Sequence, residues 1–158
     1  MAKEIEHKFL VKMDVWKPAA PGMTFRQGYL SSVKERVVRV RTAGDKAFLT
    51  IKGLTTGMTR LEFEYPIPHA DAVALLDLCE KPLVEKTRHK EKIGGFTWEI
   101  DVFHGDNDGL VVAEVEVPSE ATKFEMPPWA GAEVSADARY FNSNLAVNPY
   151  RNWSSSHG

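Results

Sequence analysis

Pairs of like-charged side chains, spaced two residues apart, recur along this sequence. The acidic pairs are Glu4 with Glu6, Glu62 with Glu64, Glu99 with Asp101, and Glu114 with Glu116, and the basic pairs are Arg39 with Arg41 and Lys86 with Arg88. Paired carboxylates supply the hard oxygen ligands that Mg²⁺ or Mn²⁺ prefers. Clustered Arg and Lys side chains neutralise phosphate oxygens. A ligand that needs both kinds of group is a metal-bound polyphosphate, whereas a simple sugar or a peptide needs far fewer cations.

A spacing of two places each pair on one face of a β-strand, with the intervening residues on the other face. In the segment V-V-R-V-R at 37–41, for example, the arginines alternate with valines. The alternation blurs at 86–91, where basic and acidic residues mix as at a solvated rim. Turn-forming residues between the segments favour antiparallel neighbours. Eight segments are predicted to be strands: 2–12, 25–31, 36–42, 46–53, 60–67, 83–93, 96–103 and 110–117.

The charged faces predict how the strands are arranged. For any one strand, a half-buried sheet whose polar face meets water is a sufficient explanation. Adjacent like charges repel, however, so stability alone does not favour this pattern in every strand. The sequence therefore predicts a mainly β fold, an eight-stranded antiparallel β-barrel in the form of a tunnel or open cup, with a charged interior and a few helices packed outside.

The remaining segments are predicted from breakers and helical spacing. Residues 70–80 have apolar side chains at helical spacing and end before Pro82, which predicts a helix inserted between strands. The segment P-P-W-A-G at 127–131 predicts a proline-bounded loop, and Ser135 or Asp137 is predicted to start a second short helix. Residues 150–158 read as a loose tail. The length of 158 residues predicts a single domain spanning 1–158.

Composition excludes several classes of function. Twenty Lys plus Arg against 22 Asp plus Glu leave a net charge of −2, so no basic field indicates nucleic acid. The chain has no apolar run long enough for a membrane span, and its start lacks a signal-peptide core, which predicts a cytoplasmic protein. Its single cysteine, Cys79, is interpreted as a small apolar residue.

The order of the motifs resembles the CYTH superfamily, the triphosphate tunnel metalloenzymes, and in particular its short bacterial inorganic triphosphatases. E-I-E-H-K at 4–8 is similar to the N-terminal E-x-E-x-K signature of that family. The resemblance continues over about the whole chain, through R-Q-G-Y-L at 26–30, R-V-R at 39–41, T-I-K-G at 50–53, E-F-E at 62–64, K-T-R at 86–88, W-E-I-D at 98–101, A-E-V-E-V at 113–117 and D-A-R-Y-F-N-S-N-L-A at 137–146. It implies metal-dependent hydrolysis of a triphosphate, with inorganic tripolyphosphate as the usual substrate.

The resemblance also implies roles for individual residues. Metal ligands are expected at Glu4, Glu6, Glu116 and Glu114, for Mg²⁺ or Mn²⁺. The residues expected to bind substrate phosphates are Lys8, Arg39, Arg41, Lys52, Arg60, Lys86 and Arg88. Catalytic roles are expected for Glu114, Asp101 and Lys8, with a second ion or one of the two carboxylates orienting the attacking water. Lining positions are Glu62, Glu64, Tyr29 and Arg139; structural ion pairing is an alternative for the two glutamates, and a packed aromatic and a surface arginine are alternatives for Tyr29 and Arg139.

Several alternatives stay open from the sequence. Related activities of the same superfamily are adenylate cyclisation and thiamine triphosphate hydrolysis, and a non-catalytic polyphosphate-binding module is a further reading. The retained carboxylates count against a pure binder, because they would repel its ligand. The predicted partner is a small-molecule triphosphate, with no nucleic acid or membrane, and a homodimer is compatible with the sequence.

Overall fold

The computed structural model describes residues 5–54 and 61–153. The strands are β1 (Ile5–Val11), β2 (Met23–Ser31), β3 (Arg36–Ala43), β4 (Lys46–Gly53), β5 (Glu62–Pro66), β6 (Val84–Ile93), β7 (Phe96–Phe103), β8 (Val111–Val117) and β9 (Ala130–Glu133). The helices are α1 (His69–Leu78) and α2 (Asn142–Val147), with short 3₁₀ turns at Gly105–Asn107, Ala138–Tyr140 and Tyr150–Asn152.

All nine strands belong to one antiparallel sheet, in the order β5-β4-β3-β2-β6-β7-β8-β1-β9. The sheet curls so strongly that Glu62 near one edge and Glu6 near the other line the same cavity. Within the described residues the order does not return to its first strand, so the sheet forms an open cup. The predicted mainly β architecture with a charged interior is confirmed.

The outer face of the cup carries the apolar core. Trp98 and Ile100 on β7 are fully buried there, and Trp98 meets the Trp129 ring edge-on at 5.5 Å between centroids. Because successive strand residues point to opposite faces, burying Trp98 and Ile100 outside turns Glu99 and Asp101 inward. The hydrophobic effect therefore sets the orientation of the charged residues, even though they contribute little to the core.

Helix α1 covers the outer side of β3 and β4, close to the predicted span of 70–80. Its buried residues Ala72 and Leu76 pack against Val40 and Ala47. Cys79, directly after the helix, is buried in this cluster, as expected for a small apolar residue. A Cβ on Gly28 of β2 would lie 2.8 Å from the Cys79 Cβ, so only glycine lets the helix end approach β2 this closely.

The C-terminal third differs from its prediction in two ways. Part of the predicted proline-bounded loop is strand β9, which pairs with β1. Its four residues, A-G-A-E, have no alternation of apolar and polar side chains that would reveal a strand. The predicted cap at Asp137 accepts a hydrogen bond from the Arg139 backbone N–H at 3.1 Å, but the turn it starts is 3₁₀ and α2 begins only at Asn142. This segment also reaches the cavity instead of packing wholly outside.

Candidate active site

The inner face of the cup encloses a cavity of about 500 Å³. Sixteen of the described residues line it, and twelve of these are charged, six acidic and six basic. The remaining four are Tyr29, Val37, Phe141 and Asn142. The charged lining residues are Glu6, Lys8, Arg39, Arg41, Lys52, Glu62, Glu64, Lys86, Arg88, Glu99, Glu114 and Glu116.

The two signs of charge are separated by strand order. The inner strands β3, β4 and β6 carry a basic floor, defined as Arg39, Arg41, Lys52, Lys86 and Arg88. On one side, β7, β8 and β1 carry an acidic wall, defined as Glu6, Glu99, Glu114 and Glu116; Lys8 lies on β1 within it. On the other side β5 contributes Glu62 and Glu64. An anion lying on the floor would therefore meet cations below it and carboxylates at its flank.

Asp101 anchors one half of the basic floor from below. Its Oδ2 lies 2.8 Å from the Lys86 Nζ, while its Oδ1 accepts a hydrogen bond from the Arg88 Nε at 2.7 Å. Although burial alone would raise the pKa of Asp101, these two cations hold it well below its usual range. Burial, followed by the nearby Arg88 and Arg41, lowers the pKa of Lys86 to about 8 despite the contact with Asp101.

In the other half of the floor, Arg41 contacts a neutral amide, and Arg39 contacts a hydroxyl and, at longer range, a carboxylate. Arg41 donates from Nε to the Gln27 Oε1 at 2.7 Å. Burial, together with Arg39 and Arg88, lowers the pKa of Arg41 to about 10, so it remains a cation at neutral pH. Arg39 is 3.4 Å from the Thr50 hydroxyl and 3.9 Å from Glu64, but its buried Nε has no hydrogen-bond partner among the described residues.

One aromatic ring underlies three of these cations. The Phe25 ring centroid lies 4.8 Å from the Arg88 guanidinium carbon, 5.1 Å from that of Arg41 and 5.9 Å from the Lys86 Nζ. A ring face attracts cations through its quadrupole. Phe25 therefore offsets part of the mutual repulsion of the basic floor without neutralising the charges that a ligand would meet.

The acidic wall is crowded. Glu6 opens onto the cavity, yet the surrounding protein and then Glu114 raise its pKa to about 8. For Glu114, burial acts to raise the pKa, but Lys8, whose Nζ is 3.4 Å from Oε1, lowers it. Oxygen ligands that repel one another across a small gap are a donor set suited to a hard divalent cation.

Residues 5–54 and 61–153 contain no group of three His, Cys, Asp or Glu side chains close enough to hold a metal ion as they stand. Glu4, predicted as a fourth carboxylate beside Glu6, lies outside those residues. The described carboxylates fit a divalent cation in chemistry, but they make an incomplete ligand set alone.

Most predicted site residues that the structure describes line this cavity. They are Glu6, Lys8, Tyr29, Arg39, Arg41, Lys52, Glu62, Glu64, Lys86, Arg88, Glu114 and Glu116. The structure therefore brings together side chains from seven strands, as the strand-face pattern predicted. Glu4 and Arg60 lie outside the described residues.

Two predicted residues lie elsewhere. Asp101 is buried beneath the lining with both oxygens on Lys86 and Arg88, so it has no free oxygen to orient water, and its contacts favour a positioning role instead. Arg139 is on the surface, where it pairs with Asp137 at 2.7 Å and covers the Trp153 ring at 5.1 Å. A short 3₁₀ turn directs it away from the cavity, which corrects its expected lining position.

The sequence interpretation assigned no role to three polar residues at the site. Glu99 lies two residues before Asp101 and shares its face, so strand parity could have identified it. Gln27 shares a face with Tyr29 in the same way. Asn142 had no such signal, because the turn that brings it to the cavity follows no strand or helix periodicity.

The chain is similar to known proteins over nearly its whole length. The family model of the CYTH domain matches residues 2–146. An inorganic triphosphatase of Acetivibrio thermocellus is 53% identical over 154 residues, which cover 97% of this chain and 99% of that protein. An inorganic triphosphatase of Nitrosomonas europaea is 40% identical, with 92% and 97% covered. The crystal structure of the inorganic triphosphatase NE1496 superposes with a TM-score of 0.72 at 37% identity, covering 93% of this chain and 96% of that one.

The lengths and compositions of the described helices can be compared with those of membrane-spanning helices. In the ranges 5–54 and 61–153, none of them has the length and apolar character needed to span a bilayer.

Proposed function

Because the chain belongs to the CYTH domain family, we propose that it is a divalent-metal-dependent triphosphatase that hydrolyses inorganic tripolyphosphate to diphosphate and phosphate. The observation that carries the proposal is the basic floor, in which five cations gather in one cavity and the buried Arg39 Nε has no hydrogen-bond partner among residues 5–54 and 61–153. Two relatives that align over nearly their whole length are inorganic triphosphatases.

The bare polyphosphate is favoured over a nucleoside or thiamine triphosphate by the lining. Only Tyr29, Val37 and Phe141 among the described lining residues offer apolar surface, and the rest are charged apart from Asn142. A base or thiazole ring is normally bound by apolar and aromatic side chains. Triphosphate carries about four to five negative charges near neutral pH, which the floor and a bound cation together can offset.

Mg²⁺ or Mn²⁺ would be held by Glu6, Glu114 and Glu116, with Glu4 as a further predicted ligand. When bound, such an ion neutralises phosphate oxygens and polarises the phosphorus for attack. This assignment is supported by the proximity of Glu6 and Glu114, whose mutual repulsion a cation bound between them would reduce.

The residues of the chain itself supply positioning and charge. Arg39, Arg41 and Lys52 would bind the equatorial phosphate oxygens, because phosphoryl transfer depends mainly on orientation and charge neutralisation. Lys86 and Arg88 would stabilise the leaving diphosphate, with Asp101 holding both in place. Glu114, fixed by Lys8, is the carboxylate that we assign to orienting the attacking water.

The test is phosphate release from tripolyphosphate, ATP and thiamine triphosphate, each with Mg²⁺, with Mn²⁺ and with EDTA. The proposal expects the highest kcat/KM for tripolyphosphate and no turnover in EDTA. Cyclic AMP formation from ATP would identify an adenylate cyclase instead. Tight tripolyphosphate binding with no turnover under either metal would identify a binding module.

A further inference from the structure

The segment from Tyr140 to Asn142 contributes Phe141 and Asn142 to the cavity lining and contacts two of the cavity's lysines. The Lys8 Nζ donates to the Tyr140 carbonyl oxygen at 3.2 Å and lies 5.6 Å from the Phe141 ring centroid. The Lys86 Nζ donates to the Asn142 Oδ1 at 3.1 Å. Asn142 is thus attached to the basic floor at its fully buried lysine.

A chain of hydrogen bonds fixes which way the Asn142 amide faces. An arginine can only donate, so the Arg41 Nε at 2.7 Å requires Gln27 to present Oε1 to it. The Gln27 Nε2 then faces Asn142, to which it donates at 3.4 Å. Lys86 is also an obligate donor, so both neighbours require the oxygen of Asn142.

The opposite end of the amide is consequently left for a ligand. Both hydrogen bonds of the Asn142 side chain use Oδ1, and within the described ranges its Nδ2 has no hydrogen-bond partner. Asn142 lines the cavity. We infer that Asn142 is a substrate-binding residue whose Nδ2 donates to a phosphate oxygen of the triphosphate; this rests on the proposed function.

A neutral donor adds something that the cations of the floor do not. A positive charge attracts any polyanion, whereas an amide N–H that is held in place by two other residues can donate to an oxygen at one position only. Asn142 reaches the same phosphate region as Lys86, because its other end contacts that lysine directly. One phosphate group of the substrate would therefore lie within reach of both the Asn142 Nδ2 and the neighbouring Lys86 Nζ.

The first experiment compares kcat/KM for tripolyphosphate in the wild type, Asn142→Ala and Asn144→Ala. Asn144 is a matched control in the same helix, whose Nδ2 donates to the Ala138 carbonyl oxygen and which does not line the cavity. We expect kcat/KM to fall about tenfold or more in Asn142→Ala, the effect of losing a hydrogen bond to a charged group. The control should stay within about twofold of the wild type. Asn142→Leu replaces Asn142→Ala if the latter does not fold by circular dichroism.

The second experiment separates direct contact from an effect through Lys86. Tripolyphosphate binding is measured calorimetrically in EDTA for the wild type, Asn142→Ala, Lys86→Met and the double variant. Direct contact predicts that Asn142→Ala still weakens binding in the Lys86→Met background, although the two losses need not add because the side chains touch each other. A loss that vanishes in the Lys86→Met background would overturn the inference and leave Asn142 a positioning residue.

Equal activity of Asn142→Ala and wild type would also overturn it. Failure of the proposed function is distinct, because the wild type itself would then show no tripolyphosphate turnover.

Discussion

Lys86 and Asp101 form a buried ion pair at the floor of the cavity, with 2.8 Å between Nζ and Oδ2. Asp101 simultaneously binds Arg88 through two hydrogen bonds, at 2.7 and 2.9 Å. One carboxylate thus orients two cations of the basic floor. Substitution of Asp101 should therefore affect both the stability of the fold and the binding of substrate.

Asp101→Asn is expected to lower both stability and activity. Removing one member of a buried ion pair leaves the other charge uncompensated, at a cost of about 3–5 kcal/mol in the free energy of unfolding. Urea unfolding at pH 7 measures this cost, with Glu85→Gln as the control. Glu85 pairs with Arg26 on the surface, where such pairs contribute less than about 1 kcal/mol. Equal losses in the two variants would contradict the central role of Asp101.

The ammonium of Lys86 is expected to titrate near pH 8, instead of at its ordinary value of 10.5, because burial disfavours its charged form. Carbon NMR of the lysine Cε atoms measures the midpoint, and Lys86→Met assigns the signal. Bound tripolyphosphate should raise the midpoint, because its negative charge favours the ammonium. A midpoint near 10.5 in the free protein would refute this expectation.

The same shift predicts how stability depends on pH. Between about pH 8 and 10.5 the unfolded chain binds more protons at this lysine than the folded protein does. The contribution of Lys86 to the free energy of unfolding is therefore largest above pH 10.5. It decreases by on the order of 3 kcal/mol as the pH falls to about 8. The unfolding free energy of the wild type, minus that of Lys86→Met, should rise over this interval. A flat difference would count against the shift.

Arg41→Gln is expected to weaken tripolyphosphate binding much more than Arg26→Gln. Arg41 lines the cavity, whereas Arg26, on the same sheet, is exposed and paired with Glu85. A charged hydrogen bond to phosphate predicts a rise in KM of about tenfold or more for Arg41→Gln, and the loss of a surface charge predicts a change of about twofold or less for Arg26→Gln. Equal effects would mean that general electrostatic attraction, and not this cavity, binds the substrate.

Glu6→Gln and Glu116→Gln are expected to raise the Mg²⁺ concentration needed for half-maximal activity. Each removes a carboxylate ligand from the acidic wall. Loss of even an outer-shell partner of a ligand typically weakens metal binding by about 10–100-fold, so loss of a ligand should cost at least as much. Glu80→Gln is the control, because Glu80 is exposed and lies outside the cavity lining. Unchanged Mg²⁺ dependence in both wall variants, with intact folds, would move the metal site away from these residues.

Strand parity determined much of the site from the sequence alone. A charged residue between two apolar ones, as Glu99 is between Trp98 and Ile100, has to face away from the core once the apolar neighbours are buried. This reasoning put Arg39, Lys52 and Glu114 on one surface without any knowledge of the strand order. The side on which each residue lies is a local property, so the sequence was sufficient for it.

Only the tertiary structure determines where residues outside the strands lie and which side chains of different strands contact one another. Asn142 meets Lys86 across 56 positions of sequence, through a short turn that no periodicity encodes. Neighbours on other strands also determine which of two inward-facing carboxylates is accessible from the cavity. Asp101 is bound by Lys86 and Arg88, whereas Glu99 lines the cavity. Such outcomes follow from distances between segments far apart in the chain, which are fixed only when the sheet curls.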